Sequence, residues 1–313
     1  MKNRRIGLVG LHDDPQVDLL KRRVEDLGAR ADIIDFWHFP KFSQARISAD
    51  TIVYDGLDLT SLDAFYLRQL GYFSPLPQRE FTPDEWMAQY GKFNDYMTNE
   101  REVLSFRESI IQILCRIRPV VNPYQAAFYH KLKAYQYVKL NSSGLPVPEF
   151  VAGNDFFRLR EFLDEGESVV KPLTAGYVNH FEVADLEASR PMLRDRPVIL
   201  QREIKGSMLR SFVLGGSLVG TCQIIHGDDA DSRRNIEAMR VFELPDAMEW
   251  IPVKACEALG MLFAGVDLLL DHAADKLYVL ECNPSPMFRN FEAQTGLPIS
   301  ERLAHYLVEE VSL

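Results

Sequence analysis

A chain of 313 residues, 47% hydrophobic and 26% charged, is long enough for two or three packed lobes with buried cores. Its formal charge of −10 argues against a general nucleic-acid binder, which needs a basic face to release counterions, although a local basic pocket for phosphate is still allowed. No stretch approaches the roughly 18 uninterrupted apolar residues of a membrane span, so no membrane partner is expected. The apolar run at the start, Ile6 to Leu11, ends at His12-Asp13-Asp14 and is too short for a signal peptide. It reads as a buried first strand of a cytoplasmic protein. The cysteines, Cys115, Cys222, Cys256 and Cys282, form no C-x-x-C pair and read as reduced core thiols.

Taken in order, residues 4–10 predict a buried strand. Asp14-Pro15 supplies an N-cap and an N1 proline for a helix running to about Gly28. Ala31 to Phe36 predicts a second strand, followed by short apolar runs at 51–54 and 63–68. Strand–helix–strand at this spacing implies a small parallel α/β unit. It lacks G-x-G-x-x-G, so a Rossmann dinucleotide site has little support. Pro83 to Arg116 has a helical pattern, Arg118-Pro119 breaks it, and a further helix is predicted from 124 to about 142, closed by Gly144 and two prolines.

Beyond 150 the pattern is mixed. Helices are predicted over 155–165 and 249–259 and from about Ser300. Strands are predicted over 168–173, 198–204, 264–270 and 276–282, with a hairpin over 211–225 turning at Gly215-Gly216. Strands interleaved with helices but rich in hairpins imply α+β lobes after the α/β start.

Four groups of residues can carry chemistry. Asp267 is a lone carboxylate in the apolar run 264–270, and Glu281 and Asn283 end the next strand two positions apart, so those two share a face. If the strands pair as a hairpin, two carboxylates and an amide converge as hard oxygen donors suited to Mg²⁺. The alternative is that the acids sit in solvent or pair with arginines. Lys171 ends the strand Val169-Val170-Lys171 before Thr174-Ala175-Gly176, and Lys131 lies on the helix from Tyr124; each can meet a phosphate or be a solvated surface charge. Arg210, Arg233, Arg234 and Asn235 suit carboxylate or phosphate binding, or ordinary salt bridging among 45 acidic residues. The segment Gln201-Arg202-Glu203-Ile204 ends another apolar strand. Cys282, between Glu281 and Asn283, points by alternation to the opposite face and reads as core.

The order of these segments resembles the ATP-grasp superfamily. That order runs from Lys131-Leu132-Lys133-Ala134-Tyr135-Gln136 through Val170-Lys171-Pro172, Gln201 to Ile204, Arg210, Arg233-Arg234-Asn235 and Ala264-Gly265-Val266-Asp267 to Glu281-Cys282-Asn283-Pro284-Ser285-Pro286 and Thr295-Gly296. Within the superfamily it is most similar to RimK-like carboxylate–amine ligases, including glutamate-adding ligases and those that cross-link ribosomally made peptides. The resemblance covers about 120–300. It implies a pre-grasp α/β domain over 1–118, an ATP-grasp central and lid subdomain over 119–197, and a C-terminal catalytic subdomain over 198–313.

By the same resemblance Lys131 and Lys171 hold ATP phosphates, and Gln201, Glu203 and Ile204 belong to the adenine hinge. Asp267, Glu281 and Asn283 ligate Mg²⁺, with Mn²⁺ a substitute, while Arg210, Arg233, Arg234 and Asn235 neutralise the transferred phosphate. The implied reaction joins a carboxylate to an amine, from small-molecule or peptide substrates, through an acyl phosphate. A homodimer fits the resemblance. Two departures stand out: a single glycine in the loop after Lys171, and no acid in Gly206-Ser207-Met208-Leu209 just before Arg210. A kinase using the same grip on ATP, and a binding module that no longer catalyses, remain open alternatives.

Overall fold

The computed structural model describes residues 4–69, 82–90, 93–174, 178–226 and 236–312. Its contacts divide the chain into two compact units, Met1–Tyr124 with Leu303–Leu313, and Gln125–Arg302.

The first unit begins β1 (Arg5–Val9), α1 (Pro15–Asp26), β2 (Arg30–Ile34). Asp14 caps α1 by accepting the Gln16 N–H at 2.8 Å, with Pro15 at the first helical position, as expected from the sequence. Then come β3 (Ala45–Ile47), β4 (Ile52–Tyr54), β5 (Leu57–Asp58) and β6 (Ala64–Leu67), followed by α2 (Pro83–Tyr90), α3 (Phe93–Ile117) and β7 (Val120–Val121). The strands β2-β1-β6-β7 form a parallel sheet in that order. Ile6, Leu8, Val9, Phe65 and Tyr66 are fully buried, the near-continuous apolar character of parallel strands covered on both faces. The expected α/β start is thus present, with a small antiparallel sheet β3-β4-β5 beside it in sequence.

The predicted single helix from 124 to about 142 is instead α4 (Tyr124–Phe128), a 3₁₀ turn at Tyr129–Lys131, and α5 (Lys133–Ser142). The break is at Leu132, whose φ of −121° and ψ of 52° leave the helical region. Apolar spacing cannot see such a break, because the residues on both sides keep a helical rhythm.

In the second unit follow β8 (Phe150–Gly153), α6 (Phe156–Asp164), β9 (Ser168–Lys171), β10 (Asn179–His180), α7 (Val183–Ala188) and β11 (Val198–Arg202). They build an antiparallel sheet ordered β10-β9-β11-β8. One face packs Leu200 against Leu159, Phe162 and Leu163 of α6 and Leu186 of α7. Next come β12 (Ser207–Leu214), β13 (Ser217–His226), β14 (Ile236–Val241), α8 (Trp250–Leu259), β15 (Phe263–Asp271), β16 (Lys276–Asn283), α9 (Arg289–Thr295) and α10 (Ile299–His305). The larger sheet is antiparallel, ordered β14-β13-β12-β15-β16.

One face of that sheet, carrying Leu209, Val213, Ala264, Val266, Leu268 and Cys282, shares a core with Ala255, Cys256 and Leu259 of α8 and Leu140 of α5. The hairpin turn at Gly215-Gly216 lies where expected, both glycines at positive φ. The strand before it starts at Ser207, not Ser211, so Arg210 sits inside β12 rather than opening it.

Candidate active site

The expected hairpin of β15 and β16 forms, with Asp267 directly opposite Glu281 and Gly265 opposite Asn283. The register shifts between Asp267 and Leu268, which pairs with Val279, so Leu280 is an extra, bulged residue. A bulge re-aims the side chains beyond it. Leu277 and Val279 are buried, yet Glu281 is not, and burial resumes at Cys282. Strict alternation from Val279 would aim Glu281 into the core, where an unpaired carboxylate is costly. The bulge turns it to the same face as Asp267.

Cations meet both carboxylates. Arg210, opposite Asp267 in the register of β12 and β15, binds it through Nε–Oδ1 at 2.6 Å and Nη2–Oδ2 at 2.8 Å. Burial would lower the Arg210 pKa, but the charge and hydrogen bond of Asp267, and beyond it Glu281, hold it above its ordinary value. The guanidinium also stands 5.0 Å from the ring centroid of Phe291 in α9, and Phe291 packs edge-on against Phe212 at 5.3 Å. Arg210 is thereby held on two sides.

Glu281 Oε2 is 3.2 Å from Nζ of Lys133, whose side chain is 6% exposed, and Oε1 is 4.0 Å from His130 Nδ1. Of the two lysines flanking Leu132, Lys133 thus reaches Glu281. Lys131, the one singled out from sequence, lies in the 3₁₀ turn with Nζ 5.9 Å from the Phe128 ring. The local signal that separates them is the helix start: Lys133 opens α5 on the face carrying buried Gln136, Tyr137 and Leu140.

Lys171 ends β9 at 9% exposure, with Nζ 6.0 Å from the Tyr137 ring. Tyr137, 1% exposed, also touches Phe150 at 5.0 Å between centroids. Burial, then the charges of Glu281 and Asp267, push its phenol well above the ordinary range, partly offset by the neighbouring Gln201 amide. Tyr137 therefore links Lys171 and Gln201 of the smaller sheet to the acids of the larger one. Gln201 is 2% exposed and its Nε2 is buried without an acceptor in hydrogen-bond geometry. Glu203 lies beyond the end of β11; its N–H donates to the Glu167 carbonyl at 3.0 Å, and its carboxylate is 3.0 Å from His180 Nδ1. Ile204 is half-buried in the connection to β12.

Asn283 Oδ1 accepts the Ser285 N–H at 2.9 Å, which shapes the Pro284-Ser285-Pro286 turn. Thr295 and Gly296 end α9: the Thr295 hydroxyl donates to the Phe291 carbonyl at 2.6 Å, and Gly296 takes a φ of 73°. Arg233, Arg234 and Asn235, and the Ala175-Gly176 stretch of the loop after Lys171, lie outside the described residues. Among the described residues no three His, Cys, Asp or Glu side chains gather as a metal cluster, so the expected donor set depends on an amide, Asn283, beside two acids.

The profile of the RimK-like ATP-grasp domain matches residues 195–307. That stretch, about a third of the chain, is similar to a RimK-like ATP-grasp domain. The ATP-grasp ligase PsnB, solved with a phosphomimetic variant of its minimal precursor, Mg and ADP, is 26% identical, with a TM-score of 0.83 over 98% of each chain. The macrocyclase MdnC of Microcystis aeruginosa, solved with its precursor peptide MdnA, is 19% identical, with a TM-score of 0.79 over 98% of this chain and 100% of its own; at that identity the likeness is one of fold. A probable alpha-L-glutamate ligase 2 from Shewanella baltica is 25% identical over 195 residues, 58% of this chain. This chain spans 64% of that relative's length. The resemblance and the fold class expected from sequence, a parallel α/β lobe followed by a two-lobed ATP-grasp fold, are both borne out. No helix among the described residues is long and apolar enough to cross a membrane.

Proposed function

We propose that this ATP-grasp protein is an ATP-dependent carboxylate–amine ligase. The observation that carries the reading is the cross-strand pair Asp267–Glu281, turned to one face by the Leu280 bulge and met by Arg210 and Lys133, with Lys171 over the ring of Tyr137. A substrate carboxylate oxygen attacks the γ-phosphorus of ATP and ADP departs. The amine nitrogen then attacks the acyl carbon, phosphate leaves with the bonding pair, and the amine gives up a proton.

No protein nucleophile is needed; positioning and charge do the work. Lys133 and Lys171 place ammonium groups for the phosphates, and Lys131 is retained as an outer contact. Gln201, whose buried amide neighbours the Tyr137 phenol, belongs to the hinge with Glu203 and Ile204. Arg210, with Arg233, Arg234 and Asn235, neutralises the phosphate being transferred.

Asp267, Glu281 and Asn283 fit Mg²⁺, with Mn²⁺ as substitute, because all three offer hard oxygens from adjacent positions of paired strands. Bound there, the ion would screen the phosphate charge. In this reading residues 1–118 are the pre-grasp domain, 119–197 bear the lid and 198–313 the catalytic sheet.

The precursor peptides held by PsnB and MdnC favour a peptide carrying the carboxylate, the amine or both. The test is turnover with candidate acid and amine pairs. ADP release with an amide product of the expected mass supports the reading. AMP, a phosphoester, or activity unchanged in Glu281→Ala overturns it.

A further inference from the structure

The backbone at Cys282, between two of the proposed metal ligands, is gripped from outside its own sheet. Cys282 lies between Glu281 and Asn283 on β16, an edge strand of the larger sheet. Its N–H donates to Gln136 Oε1 at 3.0 Å, and its carbonyl accepts from Gln136 Nε2 at 3.1 Å. The same Nε2 donates to the Tyr129 carbonyl at 2.9 Å. Gln136 is 1% exposed and 146 residues from Cys282 in sequence, so this is a buried tertiary contact rather than local capping.

On an edge strand the outward N–H and C=O of one residue point the same way and need partners. A side-chain amide, one donor and one acceptor on a planar group, satisfies both at once and stands in for a missing strand. Three residues earlier on the same strand, Val279 N–H donates to the Pro146 carbonyl at 2.8 Å, so the edge is held twice along its length. Only the Gln136 contact falls between the proposed ligands. Three residues before Gln136 on α5, and so on a neighbouring part of the helix face, Lys133 reaches Glu281 itself.

We propose that Gln136 is a positioning residue for the metal site: it fixes the two peptide groups that flank Cys282, and with them the angle at which Glu281 and Asn283 leave the strand. This rests on the ligase reading for the identity of the ligands. It also explains why the residue is a buried glutamine, where an apolar side chain would fill the space but leave the Cys282 N–H and C=O unpaired. Partners behind a metal ligand set its orientation, and their loss typically weakens metal binding by ~10–100-fold.

The test uses the full chain with Gln136→Met, close in length but unable to donate or accept strongly, and Gln136→Glu, which keeps the acceptor for the Cys282 N–H but loses the donor. ADP affinity is measured by calorimetry with and without Mg²⁺, and hydrogen exchange is followed at the Cys282 amide. In Gln136→Met the Cys282 amide exchanges faster, and Mg²⁺-dependent ADP affinity falls by ~10–100-fold while Mg²⁺-free affinity changes less than about twofold. Gln136→Glu keeps more of the amide protection and carries the test if the methionine variant does not fold. A folded variant with unchanged Mg²⁺ dependence, or with nucleotide affinity lost equally with and without Mg²⁺, overturns the proposal. A wild-type chain whose ADP binding ignores Mg²⁺ overturns the ligase reading instead.

Discussion

Arg210 and Asp267 face each other across β12 and β15 and are joined by two parallel hydrogen bonds, 2.6 and 2.8 Å long, with side chains only 13% and 19% exposed. The pair is structural before it is catalytic, because each side chain neutralises a charge that the sheet has drawn away from water. Removing one partner strands the other. Arg210→Ala is expected to destabilise the fold by about 3 kcal/mol, the low end for a buried pair. Arg210→Lys does little better, since an ammonium cannot span both carboxylate oxygens. Denaturant unfolding of Arg210→Ala, Asp267→Ala and the double variant forms a thermodynamic cycle. The double variant should cost clearly less than the sum of the singles; simple additivity would show that the two groups are not coupled.

Lys133 and Lys131 give a sharp contrast. Lys133 is buried against Glu281, and Lys131 sits in the preceding turn near Phe128. In the proposed reaction Lys133→Ala removes a positive charge at the phosphates and leaves Glu281 without its ammonium partner. A loss in kcat/KM of roughly 100-fold, about 2.7 kcal/mol, is expected. Lys131→Ala should stay within roughly fivefold. Steady-state kinetics on both variants decides between them, and equal losses would count against the assignment of Lys133.

Much of this site was legible in the sequence because its residues lie on regular strands. Asp267, Glu281 and Asn283 could be put on a common hairpin from the two apolar runs that carry them, and the parallel start was readable from the run Ile6 to Val9 and the Asp14-Pro15 cap. What escaped was irregular geometry. Lys133 was not singled out because the helix break at Leu132 is a two-angle change without a glycine or proline to mark it. The bulge at Leu280 is equally silent, because a leucine there satisfies either face of the strand. The contacts of Gln136 and Tyr137 were invisible for another reason: their partners are far away in sequence, and only the packed fold brings a helix near residue 136 to a strand near residue 282.

The thiols offer a test of burial independent of any activity. Cys222, Cys256 and Cys282 are at most 1% exposed, and burial raises all three. The Cys222 thiol is pushed up to about 12 by burial, against the pull of the Arg210 charge. At pH 8 the reactive thiolate of such a group is roughly one part in ten thousand. Cys115 is also raised by burial, but it is half-buried. Brief alkylation of the native protein followed by peptide mass spectrometry should label Cys115 first and the other three only after unfolding. Native labelling of Cys282 at a comparable rate would mean that the face of the sheet packed on α8 is not closed.

Gly265 tests the most demanding packing in the site. A methyl group there would lie 2.8 Å from Cβ of Pro286 and 3.5 Å from Cδ of Arg210. The glycine thus lets the turn after Asn283 close over β15 and leaves room for the Arg210 stem on its way to Asp267. Pro286 is a rigid ring in a turn held by the Asn283–Ser285 hydrogen bond, so it can yield only by moving that turn. Gly265→Ala is therefore expected to cost about 1–3 kcal/mol of stability, as overpacking does. In the proposed reaction it should also shift Asn283, weakening Mg²⁺ dependence more than Mg²⁺-free nucleotide binding. Thermal unfolding measures the first effect and ADP titration at several Mg²⁺ concentrations the second. A stable Gly265→Ala with wild-type Mg²⁺ dependence would show that Pro286 and Asn283 can move apart without consequence.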